Sequence, residues 1–336
     1  MDKGKKGLLA GLSNESFITI FMALLLLVFF GAACLLVPNF ASGANVMALL
    51  TNNWYLVVLG IGATFIVKTG NMDMSLGGIV AMAGVLVAYF CQGVDGTRVM
   101  DIGLGLPFWQ AALLSILCCA VIGLINAYFI ARLHVASLII TLGTGFLARG
   151  VAQIVARGAQ RSTNLPDSFG ILGSMYLPGT SVRISVVIMF VILIGAYLVE
   201  KKTVFGRDTY YVGANAEAAR LSGVKPDRHL GALFVINSVL AAIVGIVLAS
   251  EYLAGYSTRG RGFEFDALCV TLLGGTSTSG GFGSVLGAFI GAMLYSIVTN
   301  AAGGLLLSPD WTQILKGVVT FLAIVAQRYA LDKRKN

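Results

Sequence analysis

The chain has 336 residues, of which 57% are hydrophobic and only 11% charged, with a formal net charge of +8 and a mean hydropathy of +0.87. A soluble domain carries about a quarter charged residues, so the composition excludes an ordinary water-soluble fold and makes the bilayer the expected solvent. The positive balance does not point to nucleic acid, because the lysines and arginines fall where a membrane protein places them.

Runs of about 20 apolar residues mark membrane spans. In chain order they fall at 17–37, 47–68, 76–92, 108–130, 135–156, 184–199, 230–250, 265–275, 284–303 and 312–328. The expectation is an all-α polytopic membrane protein of about ten transmembrane helices. The runs at 184–199 and 265–275 are short, as in the broken helices that line transport routes. The first run is longer than the roughly 7–15 residues of a signal-peptide core, so it is expected to remain as a span.

Orientation follows from lysine and arginine. With the N-terminus in the cytoplasm, fifteen of them fall in inside segments and six in outside segments; Arg149 and Lys316 lie within spans. Both termini are therefore expected to be cytoplasmic. All six prolines fall in expected loops, where a missing N–H does least harm. Trp54, Trp109 and Trp311 fall at expected outer ends of spans, suited to the interface. The five cysteines sit in apolar runs without metal-ligand spacing.

The sequence "TGNMDMSLGG" (69–78) is a Gly-flanked break between two spans and carries the intramembrane acid Asp73. Charge in a bilayer core is costly and invites a functional reading: Asn71, Asp73 and Ser75 would border a solute route or gate. The plainer reading is that Asp73 caps the helix that follows. Asn126, Thr141, Thr144, Asn237 and Asn300 are polar residues within spans, suited either to touching solute or to gluing helices together. "GRGFEFDALCVTLLGG" repeats the pattern of turn, acid and apolar run in the second half. Spans 2–5 and 7–10 would then form an inverted repeat with the solute route at its interface.

Between the sixth and seventh spans, residues 200–229 form the largest inside loop. Asn215 is placed to cap a helix, Glu217 suits its first turn, "AEAARL" favours helix and Gly223 can supply a left-handed stop. A two-turn helix at 216–222 is expected. Alone in water it is marginal, so it is expected to lean on something: a groove in a partner protein, or the lipid headgroups. The chain holds no G-x-x-x-x-G-K-[ST] loop, H-E-x-x-H or G-x-S-x-G motif. No catalytic residue and no metal ligand is assigned.

"TVFGRDTYYVGANAEAARLSGV" (203–224) resembles the cytoplasmic coupling segment of ribose-type permeases of ABC importers. "TGNMDMSLGG", "SLIITLGTGFLARG" (137–150) and "GRGFEFDALCVTLLGGTSTSGGFGSVLGA" (260–288) resemble further motifs of that family, in the same order, and "DWTQILKGVV" fits as well. One departure is Asn71, where the family usually has glycine, which leaves a turn near the pathway in question. The resemblance implies one transmembrane permease domain over 1–336, with cytoplasmic tails at 1–16 and 329–336 and a coupling loop at 200–229. It implies a location in a bacterial cytoplasmic membrane and, as partners, a second permease chain (identical or related), a cytoplasmic ATPase and a periplasmic or surface solute-binding protein. ATP and Mg would belong to the ATPase, with no cofactor in this chain. Asn215, Glu217, Ala218, Ala219, Arg220, Leu221 and Gly223 would form the helix that seats in the ATPase. The solute would be a simple sugar or a related neutral hydroxylated molecule. An ion-coupled secondary transporter using Asp73 is the alternative; a passive channel lacks a selectivity motif.

Overall fold

The computed structural model describes residues 14–93, 103–157, 160–161 and 164–335, apart from the side chains of 14–16 and 327–335. Its helices are α1 (Asn14–Leu36), α2 (Gly43–Val67), α3 (Leu76–Cys91), α4 (Phe108–Asn126), α5 (Ser137–Ala156), α6 (Ile184–Lys202), α7 (Val204–Ala214), α8 (Ala216–Leu221), α9 (Pro226–Tyr252), α10 (Phe263–Leu273), α11 (Val285–Gly304) and α12 (Pro309–Lys335). α4 continues into a π-helical turn, Ala127–Arg132, and a short 3-10 turn occupies Asp167–Gly170. Among the described residues there is no strand, only the isolated bridges Arg161–Gly255 and Tyr176–Arg183.

Each of the ten expected spans falls on a helix. Among the described residues seven helices are long and apolar enough to cross a membrane: α1, α2, α4 with its π turn, α5, α6, α9 and α11. The span expected to be short at 184–199 is a full 19-residue helix. It runs on through Glu200, Lys201 and Lys202, and cations in a last turn suit the helix dipole. The run expected to be short at 265–275 is so, forming the 11-residue α10, and the other short helix is α3, with 16 residues. α12 continues as a helix through most of the segment expected to be a tail.

α3 explains its own composition. Every residue of it except Tyr89 is buried, which is the fate of a helix apolar all round. It packs against α9, α5 and α4. Such close packing needs small residues where backbones cross. At the α3–α9 crossing a Cβ on Gly84 would lie 3.1 Å from the Gly245 carbonyl, and one on Gly245 would lie 2.9 Å from Ala83 Cβ. The outer helices keep apolar faces exposed, for example Leu113, Leu117 and Val121 on α4 and Ile139, Phe146 and Ile154 on α5.

The two halves interlock by exchanging partners. α3 packs on α9, and its counterpart α10 packs on α2. α4 likewise meets α9, and α11 meets α2. α2 and α9 run antiparallel: Trp54 in the middle of α2 reaches Glu251 near the end of α9 at 3.3 Å, while Ile66 at the end of α2 clusters with Leu233 and Phe234 near the start of α9. This is the arrangement an inverted repeat of α2–α5 and α9–α12 produces.

Two further expectations fail in part: Pro226 and Pro309 open α9 and α12 rather than lying in loops, at helix starts where the missing N–H does no harm, and one tryptophan is misplaced. Trp54 is fully buried rather than interfacial, because it fills the α2–α9 contact and its indole N–H has found a carboxylate. Trp109 and Trp311 are exposed near the starts of α4 and α12.

Gly245→Val is expected to destabilise the bundle by about 1–3 kcal/mol through overpacking of the α3–α9 crossing. Gly143→Ala, at a glycine with open space around it, should leave stability unchanged. Unfolding midpoints of both variants in the same detergent check the contrast.

Candidate functional site

The break between α2 and α3 is built from side chains of other helices. Gly70, at φ +78°, turns the chain. The Thr69 hydroxyl donates to the Ile66 carbonyl at 2.7 Å. Met72 N–H donates to Ser137 Oγ at 3.2 Å and Met74 N–H to Thr141 Oγ1 at 2.9 Å, so α5 satisfies two peptide groups that α2 and α3 leave open. The left-handed position is Gly70, so Asn71 needs no glycine freedom; its amide donates back to Thr69.

Asp73 is the node of this break, buried at 7% exposure. Its Oδ1 accepts from the Ser75 N–H at 2.9 Å and from the Ser75 hydroxyl. Its Oδ2 accepts from Asn237 Nδ2 of α9 at 2.8 Å. Ser75 Oγ accepts in turn from Asn126 Nδ2 of α4 at 3.2 Å. Asn126 Oδ1 accepts from Thr144 Oγ1 of α5 at 2.7 Å. Six of the residues singled out in the sequence, Asp73, Ser75, Asn126, Thr141, Thr144 and Asn237, therefore meet in one buried polar cluster at the break. It clasps the break to α4, α5 and α9. Asn237 also lines a cavity of about 480 Å³ walled by Ile61, Phe65, Ile192, Leu233 and Leu240, and its Oδ1 has no hydrogen-bond partner among the described residues.

Asn300 lies apart, at the opposite end of α2. With Asn39, Asn45, Asn52, Asn53 and Tyr55 it lines a hollow of about 800 Å³ that holds no charged side chain. The amides of Asn45 and Asn53 are positioned by the carbonyls of Phe40 and Leu49. Such a wall suits hydrogen bonding to a neutral polar molecule. Only Asn300 of this group was singled out in the sequence. The signal available was the pair Asn52–Asn53 inside an otherwise apolar run.

The polar segment between α6 and α9 carries α8. Asn215 Oδ1 accepts from the N–H groups of Glu217 and Ala218, both at 3.0 Å. Gly223, at φ +90°, ends the turn, and Val224 N–H returns to the Ala219 carbonyl at 3.1 Å. Glu217 and Arg220 pair at 3.4 Å on the exposed side. Ala219 is buried while Leu221 is 83% exposed. Ala218 and Glu217 are also exposed, so α8 presents most of its surface outward.

α7, which the sequence did not suggest, joins α8 to the bundle. At its end Gly213 packs against the backbone of Lys68 and Gly281, and Gly281 N–H donates to the Lys68 carbonyl at 3.0 Å. Beside this contact lies an ion pair, Lys68 Nζ to Glu200 Oε1 at 2.9 Å, with side chains 4% and 3% exposed. The second oxygen of Glu200 accepts from the N–H of Val285 at the start of α11, at 3.1 Å. The ends of α2, α6 and α11 thus meet at one carboxylate, beneath α7. Arg149, noted with Lys316 as a cation within a span, donates from Nη1 to the carbonyls of Ser257 and Arg259 at 3.0 and 3.2 Å and holds the loop after α9.

The sequence pattern of the family described as "Branched-chain amino acid transport system / permease component" matches residues 45–324. The chain is similar to the ribose import permease protein RbsC of Haemophilus influenzae, 28% identical over 94% of each chain. It is similar to the L-arabinose transport system permease protein AraH of Escherichia coli, 32% identical over 92% of this chain and 90% of that one. It is also similar to the autoinducer 2 import system permease protein LsrC of an Enterobacter species, 32% identical over 92% and 85%.

Removing one partner of a buried ion pair strands the other, at a cost of about 3–5 kcal/mol. Glu200→Met is expected to lose stability on that scale, and Lys68→Met combined with Glu200→Met should lie closer to the parent than either single change. Chemical unfolding of the full double-mutant cycle checks it; additive single effects would contradict the pairing.

Proposed function

Because the chain belongs to the family of branched-chain amino acid transport system permease components and is a transmembrane permease subunit of an ABC sugar importer, we propose that it carries a simple sugar or a related neutral hydroxylated solute inward across a bacterial cytoplasmic membrane. The carrying observation is likeness over more than nine tenths of the chain to import permeases for ribose and L-arabinose. The uncharged hollow lined by Asn39, Asn52, Asn53 and Asn300 supports a cargo recognised by amides and hydroxyls rather than by ion pairing.

In this reading both termini and the α7–α8 segment face the cytoplasm, and the Asn-lined hollow faces outward. The whole chain acts as one permease domain with a second permease chain, identical or related. A solute-binding protein delivers cargo outside, and ATP and Mg are handled by a cytoplasmic ATPase. The chain hydrolyses nothing itself. α8, with Asn215 and Gly223 closing its ends, seats in the ATPase. Force on α8 reaches the ends of α2, α6 and α11 through α7 and the Lys68–Glu200 pair. The break at Asp73 sits one turn beyond Lys68, so the polar cluster on α4, α5 and α9 would gate the route. The ion-coupled alternative has no support from the relatives, and it needs an acid free to take an ion; both Asp73 oxygens are engaged.

Arg220→Glu reverses charge on the exposed face of α8, and Gly223→Pro forbids the positive φ that closes it. Each is expected to cut solute uptake about tenfold or more, the scale of a coupling free energy of about 1–3 kcal/mol. Membrane insertion should be unchanged. Uptake by proteoliposomes holding the permease, its ATPase and its binding protein is the measurement. Undiminished uptake with both changes would remove α8 from the coupling route.

A further inference from the structure

We propose that the hollow between the π-helical end of α4, the start of α9 and α8 is a binding site for the phosphate headgroup of an anionic phospholipid. The proposal rests on the cytoplasmic placement of α8 given above. The hollow measures about 660 Å³. Arg132, Arg220, Lys225 and Arg228 line it, against a single carboxylate, Asp227. Arg220 shares its charge with Glu217. The side chains of Arg132, Lys225 and Arg228 make no ion pair or hydrogen bond among the described residues. Three cations unpaired around one concavity, with one carboxylate beside them, leave a net positive charge that suits an anion, and guanidinium groups match the geometry of phosphate oxygens.

The floor of the hollow identifies the source of that phosphate. It is apolar, formed by Leu124, Ala127, Ala131 and Gly231. It continues directly into the exposed face of α4, where Leu117, Val121, Leu124 and Tyr128 stand outward. An acyl chain laid along that face brings its headgroup to the cations. A free phosphate gains nothing from such a floor. Basic pockets at the cytoplasmic ends of spans are a recurrent mode of anionic lipid recognition.

The local backbone is irregular where the site needs it. The π turn at Ala127–Arg132, with Leu133 N–H bonded to the Tyr128 carbonyl at 3.2 Å, is a form that recurs at functional sites. It sets Arg132 on the same hollow as Arg228 of α9 and Arg220 of α8. A lipid held there braces α8 against two spans, and so ties the coupling helix to the composition of the membrane.

The test uses the full chain purified in neutral detergent and titrated with dioleoyl-phosphatidylglycerol, dioleoyl-phosphatidylcholine or inorganic phosphate. Retained lipid is read by native mass spectrometry and unfolding midpoint by thermal shift. The parent should retain phosphatidylglycerol selectively and rise in midpoint with it alone. Arg132→Gln with Arg228→Gln should weaken the apparent affinity roughly tenfold or more, as expected when two cations no longer face an anionic headgroup. Lys202→Gln, an exposed cation outside the hollow, should change nothing. Equal retention of both lipids, equal protection by phosphate, or no loss in the double variant would each overturn the proposal. So would loss of ATPase co-purification in the double variant with lipid retention intact, which would make the hollow a protein-docking surface. Lipid retention is read without solute or ATPase, so its failure leaves the transport assignment standing, and failure of transport coupling leaves lipid retention standing.

Discussion

A helix broken inside hydrocarbon must find a partner for every peptide group it frees, because no water is there to take the place of the lost bonds. The break at 68–75 meets that demand with side chains brought from elsewhere. Ser137 and Thr141 accept the N–H groups of Met72 and Met74, and Asp73 accepts that of Ser75. The carboxylate then needs neutral donors of its own, and Asn237 supplies one from 164 residues away. Asn126 and Thr144 extend the chain of bonds across α4 and α5. Remove the demand and there is no reason for four elements to converge on this point. Leave one group unpaired and the cost is several kcal/mol in so apolar a setting.

The same economy governs charge. Lys68 and Glu200 are buried together, and the spare oxygen of Glu200 caps α11. Arg183 pairs with Glu251 at 2.7 Å, and Trp54 donates to the other oxygen of that carboxylate. Each of these carboxylates joins two or more helices, so each behaves as a rivet between elements. Because Lys68 lies between α7 and the Asp73 break, the contiguous path from α8 to the bundle interior is short and made of packed backbone and paired side chains. Such contiguity is the physical requirement for force on an end helix to move the centre.

Much of this was legible in the sequence. Each apolar run located by hydropathy lies on a helix, seven of them long and apolar enough to cross a membrane among the described residues, since in a bilayer the apolar run is the structural unit. The ends of α8 were legible because capping is local: Asn215 and Gly223 each act within a few residues. α7 was not, because "VFGRDTYYVGA" has two glycines and a charged pair, and it is helical through docking on Lys68 and Gly281 rather than through propensity. Trp54 misled for a related reason. A tryptophan in a span reads alike whether its indole faces headgroups or a buried carboxylate. The Lys68–Glu200 pair spans 132 residues, and nothing in a single sequence announces a partner at that distance. The polar residues of the spans were singled out as one set, and only the fold separates the six around Asp73 from Asn300.

That separation bears on what a transport route can be. The cluster around Asp73 is saturated within itself except at Asn237 Oδ1, whereas the hollow around Asn300 is open and uncharged. A rigid polar clasp at one end of α2 and an open amide-lined hollow at the other divide two tasks that conflict in one place. Hydrogen-bonding groups that hold helices cannot release their partners for a passing solute without loosening the bundle. Groups that meet solute must be free to exchange it for water. In the transport reading, the Asn-lined hollow is therefore the better candidate for first contact with solute. The Asp73 cluster is the better candidate for the element that must switch between two bonded states, because Asn237 Oδ1, buried against Gly62, has no hydrogen-bond partner among the described residues and would gain one in a second arrangement.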